Sequence, residues 1–429
     1  MNASSQQKMM PPHGTGAGPD RSTPLEMELV IACLRSRAGG AETARLPLLL
    51  RASPDWPHVL RIAAYHKVSL LVYHSLKTYV AEDVPPAVMS RMRANAAGTA
   101  RRGLFLVGEL VKTLSLFEAR GIKALPFKGP AVAYGLYGSL GLREFGDLDI
   151  LVQKKDVPEA TALLVSQGYC APDQIADTAD RPFLQFRPFL ESPESQGVFN
   201  FYRNDGAAVE LHWRFTPRHF PFRLVEAGVW ERLTSMGLPG LKAPNLSPED
   251  MLLLLCVHGS KHCWERLVWI CDIAELVRAV PHIDWSVVHQ RARALKVERM
   301  VHVGLLLAAD FTGAAVPVAQ LRGAQEDGEA VRLAAWVRSR LGRKPLVPFG
   351  EMEEYQFVFK VRDVARDRLR YLCHLLVTPA EEDWEFLPLP GLLSRAYYLL
   401  RPIRLTLVYL RRRLFGGSEA EHRGARRRG

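Results

Sequence analysis

Residues 127–152 read FKGPAVAYGLYGSLGLREFGDLDILV, and they predict a short helix followed by a buried strand that begins with two aspartates. Side chains alternate across a strand, so Asp147 and Asp149 lie on one face while Leu148 and Ile150 lie on the other. Two carboxylates that face one point repel each other unless a cation lies between them. Because Mg²⁺ is held in proteins by carboxylates together with phosphate oxygens, this stretch predicts a Mg²⁺ site.

A second predicted strand supplies a third acid. Residues 207–215 read AAVELHWRF, and Glu210 is the charged residue in the middle of this run, with apolar neighbours on the opposite face. We expect Glu210 to join Asp147 and Asp149 as a metal ligand. Three such acids are typical of a phosphoryl-transfer centre, in which two metal ions can activate the attacking oxygen and neutralise the leaving pyrophosphate. The role of His212, on the same face, stays open between a functional and a structural histidine.

Helices are predicted on both sides of this segment. Apolar residues recur at intervals of three to four from residue 25 to residue 117, and again from Ser247, a predicted N-cap followed by Pro248 and by Asp250 in a capping box, to about residue 410. We therefore predict an α+β fold with a small mixed sheet flanked by helical regions. The predicted regions are a disordered leader (1–23), a helical N-terminal region (24–120), an α/β core (121–245), a helical C-terminal region (246–410) and a basic tail (411–429).

Composition narrows the class of protein. The net charge is +11, but ten arginines and two glutamates lie after residue 394, so the rest of the chain is nearly neutral. This distribution argues against nucleic acid as the main partner. The six cysteines lack the spacing of a zinc site or a disulfide scaffold, and residues 1–24 lack the apolar core of a secretory signal. A cytoplasmic location is therefore expected.

The motifs described above resemble the nucleotidyltransferase superfamily, which has the DNA polymerase beta-like fold, and within it a family of uncharacterised bacterial nucleotidyltransferases. The resemblance is carried by residues 123–152, by VELHWRF at 209–215 and by PEDMLLLLCVHGSKHCWERLVWICDIAELV at 248–277, and it covers roughly residues 55 to 280. Lys128 and Gly129 stand where the wider superfamily has Gly-Ser before the helix. This departure concerns the segment that grips the triphosphate.

The resemblance implies a Mg²⁺-dependent enzyme that transfers a nucleoside monophosphate from a nucleoside triphosphate, such as ATP, to an unidentified acceptor, with surface polysaccharide metabolism as one setting. The metal-binding pair matches Asp147 and Asp149, and the third acid matches Glu210. The nucleotide-binding residues implied are Lys128, Gly129, Arg143 and Lys261. His258 and His262 have metal-ligand spacing, but the stretch lacks the glutamate of a zinc-protease motif, so a zinc site is not expected.

Two alternatives stay open. The first is a catalytically inactive nucleotide-binding or scaffold protein of the same fold. The second is RNA or membrane-surface binding through the basic C-terminus, where residues 391–417 alternate apolar clusters with arginines and contain Pro402. Such a segment is too often interrupted by charge to span a bilayer, but it can lie on an anionic one as a peripheral contact. A terminal helix pair that closes the fold explains the pattern equally well.

Overall fold

Helices surround a small mixed sheet in the described part of the chain, which in this computed structural model comprises residues 24–39, 41–170, 197–342, 350–379, 383, 386–387 and 396–415. The helices before the end of the sheet are α1 (Leu25–Arg35), α2 (Ala41–Arg51), α3 (Trp56–Tyr65), α4 (Ser69–Tyr79), α5 (Pro86–Glu118), α6 (Pro130–Gly135) and α7 (Val157–Ser166). Those after it are α8 (Pro248–Lys261), α9 (Leu267–Ala279), α10 (Trp285–Leu295), α11 (Glu298–Thr312), α12 (Val318–Glu326), α13 (Gly328–Leu341), α14 (Glu351–Lys360), α15 (Ala365–Val377) and α16 (Tyr397–Phe415).

The main sheet has four strands in the order β1-β2-β4-β3, and a separate hairpin follows it. The strands are β1 (Ala124–Pro126), β2 (Leu148–Val152), β3 (Val198–Tyr202), β4 (Ala208–His212), β5 (Thr234–Leu238) and β6 (Leu241–Asn245). The central pair β2 and β4 is parallel, and the two outer pairings are antiparallel. The predicted α+β fold is confirmed. The sequence did not predict β3 or the β5–β6 hairpin, and in β5 only two of the five residues are buried.

The two faces of the sheet pack against different apolar clusters. Leu148, Ile150 and Leu211 are fully buried in a cluster that also contains Phe117 of α5 and residues of α7. Leu151 points to the other face and belongs to a larger cluster that contains helices from both ends of the described chain. The helical N-terminal and C-terminal regions therefore share one core, and the polar residues of β2 and β4 lie where the sheet meets it. The predicted region boundaries stay predictions.

Helix α8 begins where the sequence places its start. The Ser247 side chain accepts a hydrogen bond from the Asp250 backbone N–H at 3.2 Å, and Pro248 occupies the first helical position. The Asp250 carboxylate instead accepts hydrogen bonds from Arg232 at 3.0 Å and Arg291 at 2.9 Å. The cap is confirmed, whereas the predicted reciprocal bond of a capping box is replaced by two partly buried ion pairs that join α8 to neighbouring segments.

Candidate metal and nucleotide site

Strand register brings the acids together. Asp149 of β2 stands directly opposite Glu210 of the parallel strand β4. Residues that are paired in register on adjacent strands point to the same face, and His212, two residues after Glu210, points there as well. One carboxylate oxygen from each acid and one imidazole nitrogen all lie within 4.8 Å of one another. Within the described residues, this is the one group of three or more side chains with the spacing of metal ligands. We call Asp149, Glu210 and His212 the acidic cluster.

The buried Asp149 carboxylate is held by two basic side chains. Lys128 Nζ lies 2.6 Å from Asp149 Oδ1, and His212 Nε2 lies 3.3 Å from the same oxygen and 3.2 Å from Glu210 Oε2. Burial alone would raise the pKa of Asp149, but the charge of Lys128 and the hydrogen bond from His212 outweigh it and hold the pKa well below its usual value. Asp149 is therefore ionised at neutral pH, and Lys128 balances its charge.

Asp147 lies immediately before β2, at the edge of this cluster. Burial, together with the negative charges of Asp149 and Glu210, raises its pKa, and Lys128 and Lys67 oppose that effect only in part. The carboxylates of Asp149 and Glu210 thus act on Asp147 as like charges close by. Carboxylate oxygens and an imidazole nitrogen are suitable ligands for a divalent cation, and such a cation would relieve the repulsion. Asp149 and Glu210 of the predicted metal site therefore fit such an ion together with His212, which the sequence left open, whereas Asp147 lies outside this group and its role as a ligand stays a prediction.

Gly129 positions the segment that carries Asp147. Its φ of +50° lies in the left-handed region that favours glycine, and a Cβ atom there would lie 2.9 Å from the Asp147 carbonyl oxygen. Any side chain at this position would therefore push the Asp147 segment away from β1. The structure gives Gly129 this packing role, while its contact with a nucleotide stays a prediction.

Arg143 forms a buried salt bridge with Asp272. Its Nε and Nη2 atoms donate to the two carboxylate oxygens of Asp272 on α9 at 2.7 and 2.8 Å, and the Tyr137 hydroxyl donates to the same carboxylate at 2.8 Å. The exposed fractions of Arg143 and Asp272 are 8% and 1%. This bidentate pair anchors the segment between α6 and β2. The predicted contact of Arg143 with a nucleotide stays a prediction, and the structure shows a positioning role.

Asp272 was not among the residues predicted from the sequence, although an acidic residue in its position indicates a buried ion pair. It is an acidic residue inside the apolar run LVWICDIAELV of α9, and a charge on such a helix needs a buried partner. The sequence does not reveal which basic residue that partner is. Arg143 is 129 residues away along the chain, and only the packing of α9 against the α6–β2 segment identifies it.

Lys261, at the end of α8, lies close enough to the cluster for the charges of Glu210 and Asp149 to act on its pKa. Burial lowers its pKa, and so does the neighbouring charge of Lys128, while Glu210 and Asp149 act in the opposite direction. The structure thus brings the predicted nucleotide-binding residues Lys128 and Lys261 near the acids. Two cationic side chains beside the candidate metal ligands are suited to neutralising phosphate oxygens.

His258 and His262 form an aromatic group with Trp269. Their ring centroids are 4.8 Å apart, and both rings contact Trp269, at 5.5 and 5.1 Å. Burial lowers the pKa of His258 well below its usual value, and the charge of Lys128 lowers it further. The two histidines therefore pack together against Trp269 in their neutral forms.

The fold and the site together define an α+β protein with an acidic cluster on two parallel strands and lysines beside it. Residues 52–313 match a family described as uncharacterised nucleotidyltransferase. Because the match covers more than half of the 429 residues, the chain belongs to this family of nucleotidyltransferases. The resemblance found at the sequence level is confirmed at the level of the family. A comparison with curated proteins finds no match.

Proposed function

We propose that the protein is a Mg²⁺-dependent nucleotidyltransferase that uses a nucleoside triphosphate, with ATP as the first candidate, and that its sheet corresponds to a DNA polymerase beta-like core. The observation that carries this proposal is the in-register pair of Asp149 and Glu210, with His212 and Lys128 in contact with Asp149. Asp147, Asp149 and Glu210 would hold one or two metal ions. Family membership supports the choice of reaction, and the acidic cluster supports the choice of cofactor.

The residues of the chain suit in-line transfer. An acceptor hydroxyl attacks the α-phosphorus of the triphosphate, the bond from this phosphorus to the bridging oxygen breaks, and pyrophosphate leaves. Glu210, hydrogen-bonded to His212, would assist the second metal ion or take the proton of the hydroxyl. Lys128 and Lys261 neutralise the triphosphate and the leaving pyrophosphate. A divalent cation bound by the acids supplies further positive charge at the transferred phosphate.

Calorimetric titration with each nucleoside triphosphate tests the proposal. We expect saturable binding by the unmodified protein in Mg²⁺, at least tenfold weaker binding in chelator, and loss of binding in the Asp147→Asn, Asp149→Asn double variant, because the carboxylates hold the metal that binds the phosphates. Asp83→Asn, a matched change at an exposed residue far from the cluster in sequence, should leave binding unchanged. Absence of binding by the unmodified protein would contradict the proposal. Metal-dependent binding without release of pyrophosphate from any acceptor would favour the inactive nucleotide-binding protein.

We also propose a peripheral contact between the C-terminal helices and an anionic bilayer. Helices α15 and α16 pack together, and their exposed apolar side chains include Leu369, Leu372, Leu399 and Ile403. Exposed arginines of α15 and the arginine-rich end of the chain supply complementary charge. Within the described residues, no helix is both long enough and apolar enough to cross a bilayer. These features support a contact that lies on the surface.

Liposome flotation tests the membrane contact. We expect the unmodified protein to float with vesicles that contain anionic phosphatidylserine, and much less with neutral phosphatidylcholine vesicles. Replacing Leu399, Ile403 and Leu407 by serine should reduce flotation at least fivefold, because burial of each side chain contributes about 1.5–3 kcal/mol. Serine at Leu48 and Leu104, which are exposed in the N-terminal region, provides the control. Equal flotation of the two variants would rule out a contact through α16.

The state of the cysteines supports a reducing, cytoplasmic environment for this reaction. All six cysteines are free thiols, and four of them, Cys33, Cys256, Cys263 and Cys271, are buried. Burial raises the pKa of each of these four thiols, which keeps them in the unreactive thiol form. We therefore propose that the enzyme works in the cytoplasm, with its C-terminal helices at a membrane surface.

A further inference from the structure

A cavity lies near the candidate metal site and is separated from it by two aromatic rings. Residues 214–226, which follow β4, form one wall, and Arg370 and His374 of α15 contribute to the other. The cavity has a volume of about 560 Å³, which is in the range of small-molecule sites. None of the residues that form the acidic cluster lines it. The α15 wall also lies beyond residue 313, where the family match ends.

The lining of this cavity is strongly basic. Among the described residues, it contains Arg214, Arg223 and Arg370, together with Arg218, which has a partner of its own, and one acid, Glu226. Nη1 of Arg214 is buried and has no hydrogen-bond partner within the described residues. Burial lowers the pKa of Arg214, the charges of Arg218 and Arg223 lower it further, and Glu226 opposes them. A buried donor without an acceptor is costly, so this guanidinium is poised to bind an anion.

Local packing fixes the position of Arg214. At Gly197, where φ is +80°, a Cβ atom would lie 2.9 Å from the Cβ of Arg214, so any other residue would displace the arginine. Arg214 therefore lies against the backbone at the start of β3. A donor held in this way loses less conformational entropy on binding than a mobile surface arginine would.

Aromatic rings complete the cavity and join its two walls. The ring of His219 stacks on that of His374 with centroids 4.1 Å apart and an interplanar angle of 14°. Phe215, Phe220 and Phe222 add apolar surface next to the arginines. The lining thus combines fixed positive charge with flat apolar surface, which suits an organic molecule that carries a phosphate group.

Two packed aromatic rings separate the cavity from the metal site. Phe215 packs edge-on against Phe127 at 4.9 Å, and Phe127 packs in the same way against His212 at 5.0 Å. Burial lowers the pKa of His219 to about 3, and the charges of His374, Arg362 and Lys261 contribute to this shift. Lys261 therefore acts on both the acidic cluster and the cavity. A ligand in the cavity would lie on the other side of these rings from the metal site and would leave that site open.

We propose that this cavity binds a phosphate-bearing ligand that is distinct from the metal-bound triphosphate. If the proposed function holds, this ligand is the acceptor of the nucleotidyl group, and the C-terminal helices determine which acceptor is used. Arginine presents paired N–H donors that match phosphate oxygens, and Arg214, Arg223 and Arg370 line the cavity. A triphosphate coordinated to the metal is expected to contact Lys128 instead, which does not line this cavity.

Ligand-observed NMR with phenyl phosphate, in buffer that contains a chelator, tests the proposal on the full chain. We expect saturable binding that Arg214→Gln and Arg370→Gln each weaken at least tenfold, since each removes a donor to the phosphate. Arg370 is exposed, so its replacement leaves folding intact even if Arg214→Gln does not fold. Arg366→Gln, on the same helix but outside the lining, is the matched control and should bind normally. No saturable binding, or equal weakening by Arg366→Gln and Arg370→Gln, would overturn the proposal.

Two further arms separate this proposal from the proposed enzyme function. Phenyl phosphate should bind equally well to Asp149→Asn, because the cavity does not include the acidic cluster. It should also bind in the presence of saturating Mg²⁺ and a non-hydrolysable nucleoside triphosphate. Displacement by the nucleotide would assign the arginines to the donor triphosphate and overturn the proposal. If the protein binds phenyl phosphate but no nucleotide, the proposal for the cavity is upheld and the proposed enzyme function is rejected.

Discussion

Replacing Asp149 by asparagine is expected to weaken binding of Mn²⁺, a spectroscopically visible substitute for Mg²⁺, by at least about 100-fold. A carboxylate about 4 Å from a cation contributes on the order of 4 kcal/mol per unit charge at an effective dielectric constant of 20, and every 1.4 kcal/mol is a factor of ten. Asp149 is 4% exposed, so solvent screens it little. The substitution also leaves the Lys128 ammonium without its partner, and that charge then repels the metal. Titration followed by electron paramagnetic resonance measures the free Mn²⁺ directly.

Lys128→Met is a control variant for which we expect the opposite change in Mn²⁺ affinity. Because Lys128 Nζ lies on the Asp149 carboxylate oxygen at 2.6 Å, removing it should tighten Mn²⁺ binding while weakening nucleoside triphosphate binding. Asp83→Asn should change neither property, since this residue is exposed and is not part of the cluster. Thermal unfolding of each variant confirms that it is folded. Unchanged Mn²⁺ affinity in Asp149→Asn would show that Asp149 is a structural partner of Lys128 and not a metal ligand.

The part of this site that could be predicted from the sequence follows from the alternation of side chains along single strands. Alternation within one strand places Asp149 on a polar face, and the same rule places Glu210 and His212 together. That Asp149 and Glu210 stand opposite each other depends on the parallel pairing of β2 with β4, which the sequence does not state. Lys128 was assigned to the nucleotide, but its contact with Asp149 depends on how β1 pairs with β2. The acids were therefore predicted from local patterns and the nucleotide-binding residues from the family resemblance, whereas the contacts among them depend on the topology.

Long-range packing explains what the sequence left hidden. The Arg143–Asp272 pair joins residues 129 positions apart, and the cavity near the metal site is closed by helix α15, far from β4 in the chain. The hairpin of β5 and β6 was missed because its strands carry few buried apolar residues and alternate weakly. Helix α8 was found because a cap and a proline act within four residues. Predictability thus falls with the sequence separation of the residues that make the contact.

Asp272→Leu is expected to destabilise the protein by about 3–5 kcal/mol, because it leaves the Arg143 guanidinium buried without its carboxylate partner. The Tyr137 hydroxyl loses its acceptor in the same variant. Chemical denaturation at pH 7 measures the loss as a shift in the unfolding midpoint. We also expect weaker Mn²⁺ binding, since the segment anchored by Arg143 leads directly into Asp147.

The triple variant Arg143→Met, Asp272→Leu, Tyr137→Phe distinguishes two causes of the lost stability. One is the unpaired charge of the buried guanidinium, and the other is the loss of packing around the anchored segment. Replacing all the polar partners removes the unpaired groups, so most of the lost stability should return. If the triple variant is as unstable as Asp272→Leu, the cost lies in packing and not in the orphaned charge. Its nucleotide affinity then decides the role of Arg143. Normal binding of a nucleoside triphosphate by the restored protein assigns Arg143 to positioning alone, whereas a tenfold or greater loss with Mn²⁺ affinity intact assigns it to the nucleotide phosphates, as its place in the sequence motif predicts.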